Sequence, residues 1–163
     1  MDILTPKGQA TLADERRAVS IFMSHYGGFK YVETPKNKPA DIDAFIIKNN
    51  IIIACIETKC RYDCDLNKFQ NQYRNKWLIT FDKIEKSRTI AKSLCIKVVG
   101  FLYLKQSDVL LFQTIVDDNG DYLPRIDIET TITKATINGG KAKRTNAYIN
   151  MKDAKILKEK YEK

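Results

Sequence analysis

Apolar residues along the chain follow two periods, one near 3.6 and one near 2. Leu12, Val19 and Phe22 recur at helical spacing and predict a helix over residues 11–26. Thr11 and Asp14 have the spacing of a capping box at its start, and Gly27-Gly28 ends it. Residues 29–33 read as a short strand, and 34–40, with Pro35 and Pro39, as a loop. Residues 42–47 and 51–58 are β-branched runs separated by Lys48-Asn49-Asn50, the pattern of a β-hairpin. Asp63-Cys64-Asp65 then opens a short helix carrying Leu66, Phe69 and Tyr73. Residues 77–81 read as a strand and 82–94 as a helix, with Asp82 and Glu85 at N-cap and N3 spacing. Residues 96–104 and 109–116 are apolar strands expected to pair, with a turn at 117–121. A further strand is expected over 126–137, a basic loop over 138–145 and a charged helix over 153–163. Strands alternating with helices predict a mixed α/β architecture, a central mixed sheet flanked by helices. With no repeat or Pro/Gly/Ser-rich linker, residues 1–163 read as a single domain.

The hairpin has chemical content. With a two-residue turn at Asn49-Asn50, paired positions sum to 99; with a three-residue turn they sum to 100. Asp43 then faces Ile56 or Glu57, and cross-strand neighbours lie about 4.5–5.5 Å apart at Cα. Side chains at i and i+2 share a face, so Glu57 points with Lys59, and Asp41 with Asp43. Carboxylates this close repel, and one tends to protonate. A divalent cation relieves the conflict: carboxylate and carbonyl oxygens suit Mg²⁺ or Mn²⁺, with the Thr58 carbonyl as a further ligand. Such an ion lowers the pKa of bound water and offsets charge on a phosphate. Lys59 can orient or help deprotonate that water. The plain alternative is a solvated salt-bridge cluster in which Lys59 pairs with Glu57 or Asp43 and contributes little. Glu15 stands in the apolar stripe of the first helix, either reaching to solvent from its edge or aimed into a polar site beneath it.

Charge sharpens this picture. The chain carries a net charge of +8 and a pI near 9.3, which favours a polyanionic partner such as nucleic acid. Lys141, Lys143 and Arg144, followed by Tyr148, form a basic segment able to grip a phosphate backbone, and Arg61, Arg74 and Lys76 flank the hairpin end. The cysteines (Cys55, Cys60, Cys64 and Cys95) are expected as reduced thiols, since Cys60 and Cys64 lack a second ligand pair for zinc. His25, the only histidine, is expected to serve the end of the first helix. No apolar run reaches the roughly 20 residues of a membrane span, and the first residues lack the pattern of a signal peptide, so a cytoplasmic protein with no membrane partner is expected.

The run from Asp43 through Ile53-Ala54-Cys55-Ile56-Glu57-Thr58-Lys59 resembles the PD-(D/E)XK nuclease signature, and the stretch is similar to that of archaeal Holliday-junction resolvases. The resemblance implies a restriction-endonuclease-like core and metal-dependent hydrolysis of phosphodiester bonds in DNA, with RNA left open. It assigns metal binding to Asp43 and Glu57 and water activation to Lys59. It further implies an acid on the first helix that completes the metal site, for which Glu15 stands, and a Gln or Lys on the helix after the motif as a further catalytic residue, for which Gln70 stands. No proline directly precedes Asp43, the local text being Pro39-Ala40-Asp41-Ile42-Asp43, so Asp41 is the competing metal ligand. A homodimer is compatible with small members of the family. The alternative function is a nucleic-acid-binding module that keeps the fold and does not cut.

Overall fold

Asn49 and Asn50 both adopt the left-handed conformation (φ 51° and 63°), the geometry that lets a two-residue turn reverse a strand. In the computed structural model, which describes residues 6–36, 40–132 and 141–160, this turn joins β2 (Ala44–Lys48) to β3 (Ile51–Arg61). Both registers expected from the sequence occur. Lys48 pairs with Ile51, and Ile47 with Ile52; a bulge follows, after which Ile46 pairs with Ala54 and Ala44 with Ile56. The bulge advances the register by one residue, so the chain continues with the Asp43 N–H donating to the Ile56 carbonyl, beside Glu57.

The remaining elements are α1 (Pro6–His25), β1 (Lys30–Glu33), α2 (Leu66–Asn71), β4 (Lys76–Thr80), α3 (Phe81–Leu94), β5 (Lys97–Leu104), β6 (Val109–Val116), β7 (Ile126–Ile132), β8 (Lys143–Asn150) and β9 (Lys155–Leu157). They form a six-stranded sheet in the order β1-β2-β3-β5-β6-β9 and a three-stranded sheet in the order β4-β8-β7. All pairings are antiparallel except β3 with β5, so the large sheet is mixed. The fold is α/β, as the alternation of periods predicts.

Strand pleating sorts the residues of β3 between two cores. Ala54 and Ile56 face the side covered by α1, where Ala18, Ile21 and Phe22 pack against Ala44, Phe101 and Leu110. Cys55 faces the opposite side, where Ile84 and Ala91 of α3 and Trp77, Ala147 and Ile149 of the small sheet meet Val98, Leu102 and Ile115. Glu57 shares the parity of Cys55, so it is delivered beneath α3 and is fully buried there. Trp77 lies on Gly100 of β5: a Cβ there would stand 2.3 Å from the indole ring and 2.4 Å from Ile115. Gly100→Ala is therefore expected to force the two sheets apart and destabilise the protein by about 2 kcal/mol, read as a lower urea midpoint.

Several boundaries differ from the sequence expectation. The first helix starts before Thr11, so the Thr11–Asp14 box lies inside it, and buried Asp14 instead pairs with Lys105 at 3.0 Å. Asp82 and Glu85 do not cap α3: Thr80 stands at the N-cap without a side-chain bond, and Glu85 instead accepts from Tyr122. Asp65 does cap α2, accepting from the Lys68 N–H at 2.7 Å. Residues 153–163 do not begin as a helix, because 155–157 extend along the edge of β6 and bury Leu157. Pairing to an open strand edge outweighs the helical preference of a lysine-rich segment. Lys143 to Thr145 belong to a strand, not a loop, and the expected strand over 126–137 is described only as far as Ile132.

Candidate active site

Where α3 crosses the end of β3, the buried edge of the sheet opens into a cavity of about 460 Å³. Glu15, Asp43, Glu57, Thr58, Lys59, Arg61, Lys83 and Arg144 are among its lining residues. Asp43 is fixed by two bonds. Its Oδ2 accepts from the Thr58 backbone N–H at 2.7 Å, and its Oδ1 accepts from Lys83 Nζ at 2.8 Å. The same ammonium reaches Glu57 Oε2 at 2.9 Å, an ion pair off the hydrogen-bond direction that leaves this buried oxygen without a hydrogen bond. Glu57 Oε1 accepts a short bond from Ser87 Oγ. One lysine thus bridges two carboxylates, one of them fully buried.

Burial raises the Glu57 carboxyl from its ordinary 4.5 to about 7; the Asp43 charge adds to the rise, and Lys83 and Ser87 oppose it. Burial acts against the Lys83 ammonium, but Glu57 and Asp43 together outweigh it and hold Lys83 above the ordinary lysine value. Lys59 moves the other way. It remains exposed at the cavity mouth, but loss of water around its ammonium, then the charges of Arg61 and Lys83, lower its pKa. Cys60, also on the wall, is pushed up to about 12 by burial and by the nearby acids, which leaves it a neutral thiol and a poor nucleophile. Ser87→Ala removes one of the two groups that stabilise ionised Glu57. It is expected to cost about 2 kcal/mol at pH 8, measured by urea unfolding, and clearly less at pH 5, where Glu57 is protonated.

Compared with known proteins, the chain matches no family model and no curated protein sequence. The site therefore rests on its own geometry. Asp43, Glu57, Lys59 and the Thr58 backbone are brought together as the hairpin register predicts, and Glu15 lines the cavity from α1, where it pairs with Lys36 at 3.1 Å. Asp41 is exposed outside the cavity, paired with Lys86 at 3.4 Å, so Asp43 is the aspartate of the site. Gln70 is not brought to it: the side chain is exposed on α2 and lines no part of the cavity.

Of the basic candidates, Arg61 and Arg144 line the wall. Lys141 and Lys143 are exposed at the entrance to β8, and Lys76 is engaged by Asp127 at 2.8 Å. Arg74 is exposed on a left-handed turn (φ 52°). His25 ends α1, with Nε2 2.5 Å from the Lys158 carbonyl, and lines no part of the cavity. The four cysteines are free thiols.

Sequence reasoning missed Lys83 and Ser87. The signal was Ser87 itself, a polar residue on the stripe that Ile84 and Ala91 define at i−3 and i+4, with Lys83 one turn before it. Among the described residues no three His, Cys, Asp or Glu side chains cluster closely enough to hold a metal by themselves. The available donors are two carboxylates and a backbone carbonyl. That set matches Mg²⁺, which is usually bound through one or two carboxylates while it keeps several waters. No helix among the described residues is long and apolar enough to cross a membrane.

Proposed function

We propose that the protein is a metal-dependent nuclease of the PD-(D/E)XK type that hydrolyses phosphodiester bonds in DNA. The observation that carries this reading is the shared Lys83 ammonium: Asp43 and Glu57 converge on one cationic atom at 2.8 and 2.9 Å, and a buried Glu57 oxygen stays without a hydrogen bond. Two carboxylates so placed suit a divalent cation, held by Asp43, Glu57 and the Thr58 carbonyl. Mg²⁺ or Mn²⁺ bound there would supply an acidified water and charge neutralisation at the phosphate.

The order of elements supports the same reading. A helix precedes a three-stranded meander, a second helix covers it, and the following strand lies parallel to the last meander strand. Helix, hairpin, helix and strand thus follow in that order, with α2 and β4 between the hairpin and the covering helix. That helix is α3, and Lys83 on it, rather than Gln70 on α2, reaches the two carboxylates.

The chain's own groups have separable tasks. Asp43 is preset by the Thr58 N–H, so it needs no reorganisation to present its oxygens. Lys59, its pKa lowered, can orient the attacking water or donate to a phosphoryl oxygen at the cavity mouth. Arg61 and Arg144 line the wall where a phosphate backbone would pass, and the net charge of +8 favours the approach of a polyanion. The rival reading, a binding module that does not cut, draws on the same lysine: Lys83 already offsets one of the two carboxylate charges without a metal.

A cleavage assay separates the two. Labelled single-stranded, duplex, flap and four-way-junction DNA would be incubated with Mg²⁺ or Mn²⁺, with Lys59→Ala as control. Metal-dependent cutting lost in Lys59→Ala is expected. No cutting of any substrate, with equal DNA binding by both proteins, would establish the binding module instead.

A further inference from the structure

The outward face of the small sheet carries a feature that phosphodiester hydrolysis does not require. Pleating directs Trp77, Ile79, Ala147 and Ile149 inward, where all four are buried. The alternate residues face out: Lys76, Leu78 and Thr80 on β4, and Arg144, Asn146 and Tyr148 on β8. Leu78 stands directly opposite Tyr148, and Thr80 opposite Asn146. Thr80, Asn146 and Arg144 belong to the wall of the candidate active site, and Leu78 is shared with a second groove of about 330 Å³. That groove is lined by Arg61, Tyr73, Arg74, Lys76, Leu78 and Tyr148 among others. Arg61, like Leu78, lines both, so cavity and groove form one continuous trough.

The groove's chemistry is aromatic and cationic. Tyr73 is 39% exposed although nothing in the core needs it at the surface. It sits on a rigid turn: the Lys76 N–H donates to the Tyr73 carbonyl at 2.9 Å, and the Met151 N–H to the Asn75 carbonyl at 2.8 Å, while Arg74 and Asn75 are both left-handed. The Arg61 guanidinium lies over the Tyr73 ring at 5.8 Å. Arg61, Arg74 and Arg144 have no carboxylate at ion-pair distance among the described residues, while Lys76 and Arg125 engage Asp127, which stands opposite Tyr148 on β7. The exposed Tyr73 ring and the half-buried Tyr148 ring beside unpaired arginines, over a floor of Leu78, match the stacking face and charged backbone of an unpaired nucleotide. A duplex offers no free base face to such a groove. The volume lies within the roughly 300–1,000 Å³ range of small-ligand clefts.

We propose that this trough binds a single-stranded polynucleotide, with unpaired bases stacking on Tyr73 and Tyr148 and the backbone led by Arg61 and Arg144 into the cavity of Asp43 and Glu57. The nuclease reading makes this groove a substrate-selecting subsite; the binding itself requires neither metal nor cleavage.

The test measures binding by the full-length protein in EDTA, followed by fluorescence anisotropy. The probes are an oligothymidylate of roughly ten nucleotides, within the site sizes of such grooves, an oligouridylate of the same length, and a blunt hairpin duplex with as many phosphates. The wild type is expected to bind a single strand more tightly than the duplex. The Tyr73→Ala/Tyr148→Ala double variant is expected to lose on the order of tenfold or more of single-strand affinity with little change for the duplex, while Tyr73→Phe/Tyr148→Phe retains it. The two oligonucleotides decide between DNA and RNA. Photo-crosslinking of 5-iodouracil in the same strand to wild-type protein gives a readout that needs no variant: the adduct is expected on Tyr73 or Tyr148. Duplex bound as tightly as single strand, or adducts confined to other residues, would overturn the proposal. Stacking without metal-dependent cutting would remove only the nuclease reading, and cutting without single-strand preference would remove only the groove.

Discussion

Asp43→Asn is expected to lower metal-dependent cleavage at least about a hundredfold while leaving the fold in place. The asparagine oxygen can still accept the Thr58 N–H that anchors residue 43, so the hairpin end keeps its shape. What disappears is the negative charge that, on the proposed reading, would hold a cation together with Glu57. Two readouts should fail together: the rate of cutting, and the rise in unfolding temperature expected of the wild type with Mn²⁺ if the ion binds only the folded state. Asp41→Asn is the matched control, because Asp41 is exposed and engaged with Lys86 away from the cavity. It is expected to cut at the wild-type rate. Unchanged cleavage in Asp43→Asn would remove Asp43 from the chemistry.

The second large effect concerns pH. Glu57 titrates near 7 in the folded protein and near 4.5 otherwise, because burial and then the Asp43 charge disfavour its ionised form. Between these values the folded state holds a proton that the unfolded chain has released. Stability therefore falls as pH rises through this window, and the loss is complete above about 7. The size is up to about 3 kcal/mol, since each pKa unit is worth about 1.4 kcal/mol. Urea unfolding in EDTA between pH 5 and pH 8 should show the slope, and Glu57→Gln should flatten it. If the site binds Mn²⁺ as proposed, a saturating concentration should reverse the trend, because an ion held there would select the ionised carboxylate and bind more tightly as pH rises. A wild-type slope identical to that of Glu57→Gln would place the titration elsewhere.

The part of the site legible in the sequence is the part made by local geometry. Asn49-Asn50 set the turn, the two-residue period set the faces, and together they put Asp43 beside Glu57 and Lys59. Glu15 was legible as an acid misplaced on an apolar stripe. Ser87 left a similar trace on the stripe of α3, but its meeting with Glu57, and that of Lys83, could not be read, because nothing local says which helix covers the hairpin; the parallel pairing of β3 with β5 decides it, over more than forty residues of chain. The same non-locality hid the small sheet, whose strands pair β4 with β8. Gln70 was a candidate only through the resemblance, and α2 carries it outside the cavity. The lysine-rich stretch after residue 152 read as helix because its fate depends on the open edge of β6.

The β3–β5 pairing also bears on how the molecule assembles. Parallel neighbours cannot be joined by a tight turn, and closing a long intervening segment is paid in chain entropy before any contact is gained. The β2–β3 hairpin can form early, but α3 docks Lys83 onto it only when that closure occurs. In refolding, then, the two carboxylates would be in place before the group that neutralises them. Trp77, the only tryptophan and buried against Gly100 of β5, gives the closure an intrinsic optical signal: its fluorescence should report the slow step at which the acidic pair acquires its counter-charge.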